Sequence, residues 1–201
     1  RSEMLSGISH DLRTPLTRIK LQLSFIKDKE IASKLSDDVV EMEKMLNEYL
    51  QFASSQSSEI TEKFNLSKLL KVTASEYQNE NIKMEIQEEI QLNGRKNLIK
   101  RCFNNIIDNA LKYANTVNIK LNKSYNSINI IIDDDGPGVA EKERENVFKP
   151  FYKINKSRGD SKSSVGLGLS IASDIIRSHG GNIVLENSPK KGLRVRIFLP
   201  S

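Results

Sequence analysis

The sequence predicts an α+β protein in two parts, a helical hairpin followed by a mixed sheet covered by helices. Three observations carry that reading. Apolar residues before residue 54 recur at spacings of three and four, and those further on gather in short alternating or β-branched runs. Between the two regimes lies a polar stretch, Ala53-Ser54-Ser55-Gln56-Ser57-Ser58, that interrupts the helical period.

The first helix is read from Leu5, Ile8, Leu12, Leu16, Ile19, Leu23 and Ile26, which fall within an arc of roughly 80° at 3.6 residues per turn. Leu35, Val39, Met42, Leu46, Tyr49 and Ala53 repeat the pattern in a second helix, joined to the first by a polar turn around Lys27 to Ser33. The apolar stripe of one such hairpin is too exposed alone, and pairing two hairpins buries it as a four-helix bundle. A homodimer formed through residues 1–54 is the expectation, with residues 55–63 as linker and 64–201 as a second domain. In that domain the predicted helices are Leu66 to Gln78, Lys96 to Ala114, a short one from Glu141 to Val147, and Leu167 to Ser178. Strands are predicted at Lys83 to Gln87, Val117 to Leu121, Ile128 to Asp133, Ile183 to Glu186 and Arg194 to Leu199. Together they suggest a sheet covered by helices, an α/β sandwich.

Composition narrows the function classes. The chain has 201 residues, 37% hydrophobic and 28% charged, enough for one medium domain or two small ones. No segment approaches the ~20 apolar residues of a membrane span, and no signal peptide is visible. The first residue is Arg1 rather than methionine, which reads as an excised fragment without membrane contact of its own. The single cysteine, Cys102, excludes an intramolecular disulfide and fits a reducing cytosol. The net charge of +5 is spread among mixed acids and bases with no tryptophan, which speaks against nucleic-acid binding.

Chemistry starts at Ser9-His10-Asp11-Leu12-Arg13-Thr14-Pro15. His10 lies roughly 160° from the centre of the first stripe and faces water, with Thr14 one turn on and Asp11 beside it. A neutral imidazole has a free ring nitrogen and is a workable nucleophile; the bland alternative is a solvated histidine. On the helix from Lys96, Arg101, Asn105, Asp108, Asn109 and Lys112 form a polar stripe of roughly 100°. Two asparagines one turn apart offer oxygens to a hard cation and the lysine a charge to phosphate, although such a stripe also serves as a solvated face. Asp133-Asp134-Asp135-Gly136-Pro137-Gly138 follows an apolar strand, where an aspartate can floor a pocket or simply sit in a turn. Gly166-Leu167-Gly168-Leu169 opens a helix whose free N–H groups suit phosphate. Between them, Lys149 to Val165 holds Lys149, Lys153, Lys156, Arg158 and Lys162 against one acid, Asp160, as a cationic lid would. His179, ahead of Gly180-Gly181, reads as a helix-end cation matched to the dipole.

In this order the pieces resemble the sensor histidine kinases of bacterial two-component systems. His10 to Pro15 is similar to the H box, Asn105 to Tyr113 to the N box, Asp134 to Gly138 to the G1 box, Phe148-Lys149-Pro150-Phe151 to the F box and Gly166 to Leu169 to the G2 box. The run S-H-D-L-R-T-P-L-T-R-I and the ending from Gly192 to Pro200 look most like the osmosensor EnvZ. The resemblance implies a dimeric helical bundle plus the ATP-binding sandwich shared with gyrase and Hsp90, with ATP and Mg²⁺ as cofactors. It implies that His10 accepts phosphate, Asp11 handles its proton, Arg13 supports the site electrostatically and Thr14 holds the water that dephosphorylates a partner. Asn109 would coordinate Mg²⁺ with Asn105 assisting, Lys112 would contact phosphate and Tyr113 would line the nucleotide. Asp134 would take the adenine amino group, Gly136 and Gly138 would admit the backbone, Gly166 and Gly168 would pack around the phosphates, and Lys153 would steady the γ-phosphate. The implied partner is an aspartate of an OmpR-like response regulator, and the implied setting is the cytoplasmic portion of a protein anchored in the bacterial inner membrane. Two departures stand out: Ser164 replaces the first glycine of G-x-G-L-G-L, and Arg158-Gly159-Asp160 comes five residues later than the family's Arg-Gly-Asp. Rival readings are a stand-alone clamp ATPase of the gyrase or Hsp90 kind, and a dimeric scaffold that binds nucleotide without catalysis.

Overall fold

A computed structural model describes residues 14–78, 81–86, 88–154 and 166–201. The chain divides into two compact units, Arg1–Glu59 and Ile60–Ser201.

In the first unit, residues 14–23 form helix α1 and Lys29–Ser58 form α2. Asp28 caps α2 by accepting hydrogen bonds from the Glu30 and Ile31 N–H groups at 3.0 and 3.1 Å, the usual role of an N-cap aspartate. The turn therefore occupies residues 24–28, earlier than the polar run at 27–33 suggested, because Asp28 claims the cap and the residues after it are good helix formers. The Lys20 ammonium meets the Glu43 carboxylate at 2.5 Å and ties α1 to α2. Leu16 and Val39 are buried, whereas Ile19, Ile26, Leu35 and Met42 of the same two stripes remain exposed. The Ser-rich stretch is helical through Ser58, so most of the expected linker is regular structure: serine is only a mild helix destabiliser and nothing there forces a break.

The second unit runs β1 (Glu62–Asn65), α3 (Leu66–Ser75), β2 (Ile82–Ile86), β3 (Gln91–Gly94), α4 (Lys96–Tyr113), β4 (Val117–Ser124) and β5 (Ser127–Asp134). Two short 3₁₀ turns (Glu141–Glu143 and Asn146–Phe148), α5 (Gly168–Arg177), β6 (Asn182–Asn187) and β7 (Leu193–Pro200) complete it. Five strands form a sheet in the order β2-β4-β5-β7-β6, antiparallel except for the parallel β2–β4 pair, and β1 with β3 forms a separate two-stranded ribbon. Alternation decides which face is dry. Val117, Ile119 and Leu121 of β4, Ile128, Ile130 and Ile132 of β5, and Val195, Ile197 and Leu199 of β7 are buried, with α4 packed on β4 and β5 and α5 on β6. Their neighbours Lys120 and Arg196 point the other way and pair with Glu85 and Glu186 at 2.7 and 2.8 Å. The ribbon was not predicted; Phe64 and Leu92, partners in its register, are the buried apolar side chains of two otherwise polar four-residue strands.

His179 sits just past the end of α5, as expected, but its ring is engaged by backbone rather than standing as a cation. Its Nε2 accepts a hydrogen bond from the Arg95 N–H at 3.0 Å, and its Nδ1 lies 2.7 Å from the Ile175 carbonyl. A carbonyl only accepts, so Nδ1 carries the proton and the ring is neutral. No helix among the described residues is long and apolar enough to cross a membrane.

Candidate nucleotide-binding site

The site is built where α4, the end of β5 and the start of α5 meet. Leu98, Ile99, Cys102, Phe103, Ile106, Ile107 and Ala110 bury one side of α4, which leaves its polar residues on the flank. That stripe does not act as one surface. Asp108 accepts a hydrogen bond from the Tyr77 hydroxyl at 2.8 Å and braces α3, while Asn105 turns toward α5. The Asn105 amide nitrogen is buried with no hydrogen-bond partner among the described residues, an orphan of the kind that costs stability until an acceptor arrives. A Cβ on Gly168 would stand 3.7 Å from the Asn105 carbonyl oxygen, so the G2 segment opens α5 directly against the N-box helix. Asn109 lies half-buried one turn further along α4, and the Lys112 ammonium sits 5.1 Å from the centre of the exposed Tyr113 ring.

The three consecutive aspartates are sorted by their partners. Asp133 is buried and held bidentately by Arg194 at 2.7 and 2.8 Å, a fork-to-fork pairing. Asp135 accepts from the Asn115 and Thr116 N–H groups and the Thr116 hydroxyl, at 2.8–2.9 Å, fastening the loop after α4. Those bonds, Thr116's foremost, hold its carboxyl below the ordinary aspartate value. Asp134, 6% exposed, accepts from the Gly136 and Leu193 N–H groups at 2.9 Å, both on Oδ1. Its Oδ2 makes no hydrogen bond among the described residues. Burial pushes the Asp134 carboxyl above its ordinary value, and the two N–H donors partly offset this. One oxygen thus fixes the carboxylate while the other is left to an incoming donor.

Glycines crowd closely around the Asp134 carboxylate and the loop that carries it. A Cβ at Gly136 would fall 2.9 Å from the Tyr113 carbonyl oxygen, bringing the N and G1 boxes together. Gly138 and Gly166 have φ of +71° and +81°, a region that favours glycine. Gly166 also accepts from the Phe151 N–H at 2.9 Å and joins the F and G2 segments. Sequence reasoning missed Gly192: a Cβ there would lie 2.3 Å from both Asp134 Oδ1 and the Asp134 carbonyl oxygen. The available signal was a glycine immediately before the last alternating strand. The Asp133–Arg194 pair and the Leu193 donor were missed as well, since strand register alone brings them together.

Thr14 opens the described part of α1, and Lys153 is half-buried just after Tyr152. His10, Asp11 and Arg13, and the remaining cations of the 155–165 segment, lie outside the described residues. The residues present fit a nucleotide: a buried donor at Asn105 and a carboxylate oxygen at Asp134, neither with a partner among the described residues. No group of three or more His, Cys, Asp or Glu side chains poised for a metal occurs among the described residues.

A sheet covered on one face by helices, with a buried carboxylate at the end of its central strand, is the architecture of an α/β sandwich. Residues 94–201 match the family described as histidine kinase-, DNA gyrase B-, and HSP90-like ATPase, and residues 1–58 match the His Kinase A (phospho-acceptor) domain. The chain therefore belongs to that ATPase family, with a stretch similar to a phospho-acceptor domain ahead of it. It is 35% identical over 202 residues to the sensor histidine kinase GtrS of Pseudomonas aeruginosa, covering all of this chain and 42% of GtrS. It is 30% identical over 214 residues to the sensor histidine kinase CpxA of Escherichia coli, covering all of this chain and 47% of CpxA. The chain thus spans less than half the length of these relatives. Among solved structures, full-length ShkA in complex with AMPPNP shares the fold over the whole chain and 46% of ShkA, with a TM-score of 0.70 and 19% identity.

Proposed function

We propose that this chain is the kinase core of a two-component sensor: it phosphorylates His10 from ATP and passes the phosphoryl group to an aspartate of a response regulator. The observation that carries the reading is Asp134, whose Oδ1 is tied down by two backbone donors while Oδ2 makes no hydrogen bond among the described residues. An oxygen so held suits the amino group of adenine. The buried Asn105 amide nitrogen, a donor, suits a phosphate oxygen, and the amide oxygens of Asn105 and Asn109 suit Mg²⁺ that also binds the phosphates. When bound, the metal supplies neutralisation of the charge that develops on the phosphoryl oxygens.

The chain's own residues then take the following parts. Lys112 and Lys153 place positive charge near the phosphates, Tyr113 lines the nucleotide, and Gly136, Gly138, Gly166 and Gly168 let backbone approach it. His10 attacks in line through a neutral ring nitrogen, Asp11 receives or orients the proton, and Arg13 supports the site. Thr14 positions the water for dephosphorylation of the regulator. The exposed stripe of Ile19, Ile26, Leu35 and Met42 supports a homodimer through the hairpin. His10 must meet both ATP and the regulator, so the two units move about the residues that join them, with 59–61 lying between α2 and β1. The finer placement in an EnvZ-like subgroup, with an OmpR-like regulator and an inner-membrane anchor on the full-length protein, belongs to the same proposal.

Incubation with Mg²⁺ and γ-labelled ATP tests it. Acid-labile, alkali-stable label that disappears in His10→Ala is the expected result. ATP hydrolysis that persists unchanged in the variant, with no labelled protein, would favour the clamp ATPase instead.

A further inference from the structure

The second histidine of the chain is engaged far from His10 in sequence. His179 follows α5 and reaches the residue that precedes α4: its Nε2 accepts from the Arg95 N–H at 3.0 Å while Nδ1–H donates to the Ile175 carbonyl at 2.7 Å. Arg95 reinforces the contact, its Nη2 donating to the Ser178 carbonyl at 3.1 Å and to Ser178 Oγ at 2.6 Å. Space for the ring depends on Gly94, where a Cβ would stand 2.9 Å from His179 Cδ2 and 3.2 Å from Nε2. These contacts fasten the start of α4 to the end of α5.

The same two helices carry the nucleotide site at their other meeting point, where Gly168 opens α5 against Asn105. Between the two places the Cys102 thiol donates to the Ala172 carbonyl at 3.8 Å, so α4 and α5 run side by side in opposite directions. A helix interior transmits displacement with little loss, and ten residues of α4 from Arg95 to Asn105 span only ~15 Å. We propose that neutral His179 is a positioning residue that latches α4 to α5, and that one proton on its Nε2 opens the latch and loosens the nucleotide site. An imidazolium has two donors and no acceptor, so the Arg95 N–H would lose its partner and face a positive ring. The charged residues on the elements that meet there are Arg95 and Lys96 at the head of α4, Asp174 and Arg177 on α5, and Glu62, opposite Gly94 in the β1–β3 register. Three cations against two acids do not favour a further positive charge.

The nucleotide arm of the test rests on the function proposed above; the spectroscopic arm does not. Long-range ¹⁵N–¹H NMR of the full chain, which has two histidines, is expected to show His179 as the Nδ1–H tautomer, identified by its absence in His179→Gln. A ring protonated on Nε2 at neutral pH would overturn the latch. Affinity for a non-hydrolysable ATP analogue is then followed from about pH 8 to about pH 5.5, where imidazoles take up their proton. The expected result is a loss of about fivefold, roughly one net hydrogen bond, beyond the loss seen in His179→Gln, whose amide oxygen accepts from Arg95 without titrating. Titration of the analogue and of His10 is common to both proteins and cancels. Identical pH profiles would refute the proposal, whereas absence of binding by both proteins at every pH would count against the nucleotide reading and leave the tautomer to decide.

Discussion

Replacing Asp134 by asparagine separates what the residue does for the fold from what it does for a ligand. Asparagine keeps a carbonyl oxygen where Oδ1 accepts from Gly136 and Leu193 at 2.9 Å, so both backbone bonds survive. The second oxygen becomes an NH₂ donor. Against the adenine amino group this exchanges a charge-assisted hydrogen bond for two opposed donors. Loss of a hydrogen bond to a charged group costs about 1.5–3 kcal/mol, a roughly ten- to hundredfold weaker affinity at about 1.4 kcal/mol per decade. Stability should move the other way. The Asp134 carboxyl is raised by burial, so between its unfolded and folded values the native state binds more protons than the unfolded chain, and stability falls as pH rises through that window. The neutral variant lacks this term. Isothermal titration with an ATP analogue, paired with urea melts at pH 7, is expected to show weak binding by a protein at least as stable as the wild type. Wild-type affinity in Asp134→Asn would refute the assignment of Oδ2 to adenine, and a clear fall in stability would refute the account of its two oxygens.

Three further outcomes are expected. Gly192→Ala places a methyl group 2.3 Å from Asp134 Oδ1; relief of such overlap costs about 1–3 kcal/mol, and urea melts and nucleotide titration should both worsen. Arg194→Met strands the buried Asp133 carboxylate and should cost about 3–5 kcal/mol, most of it recovered when Asp133→Asn is added; a double variant no better than the single one would sink the pairing argument. Ile19→Glu with Met42→Lys puts charge on the exposed hairpin stripe, and sedimentation is expected to show dimers for the parent and monomers for the variant.

The long elements were legible because each satisfies one periodic rule over many residues. Alternation in Val117 to Leu121 and Ile128 to Asp133 places the sheet, and the buried side of α4 follows its three-four spacing. What stayed hidden depends on partners distant in sequence. The β1–β3 ribbon rests on one buried residue per strand, too little for any period to register. The site shows the same division. The glycines and asparagines announce themselves as types, but which of three adjacent aspartates keeps an oxygen without a partner among the described residues is decided by Arg194, Thr116 and Leu193. His179 misled because a helix end suits a cation, a preference of about 1 kcal/mol, and here it yields to a backbone N–H that needs an acceptor. The serines before Ser58 misled for the opposite reason, since a weak local preference says little about a helix held by its length and packing.

Gly168 differs from the other glycines of this region. A methyl group there would rest at ordinary contact distance from Asn105, 3.7 and 3.8 Å away, and its backbone is helical. Among the described residues alanine meets no crowding there, in contrast to Gly136 and Gly192, which the chain itself crowds. Residue size at position 168 is therefore a gauge that can be set independently of folding. Stepping it from glycine to alanine to serine adds bulk beside Asn105 a carbon or an oxygen at a time, which turns this one position into a ruler for the contact between α4 and the start of α5.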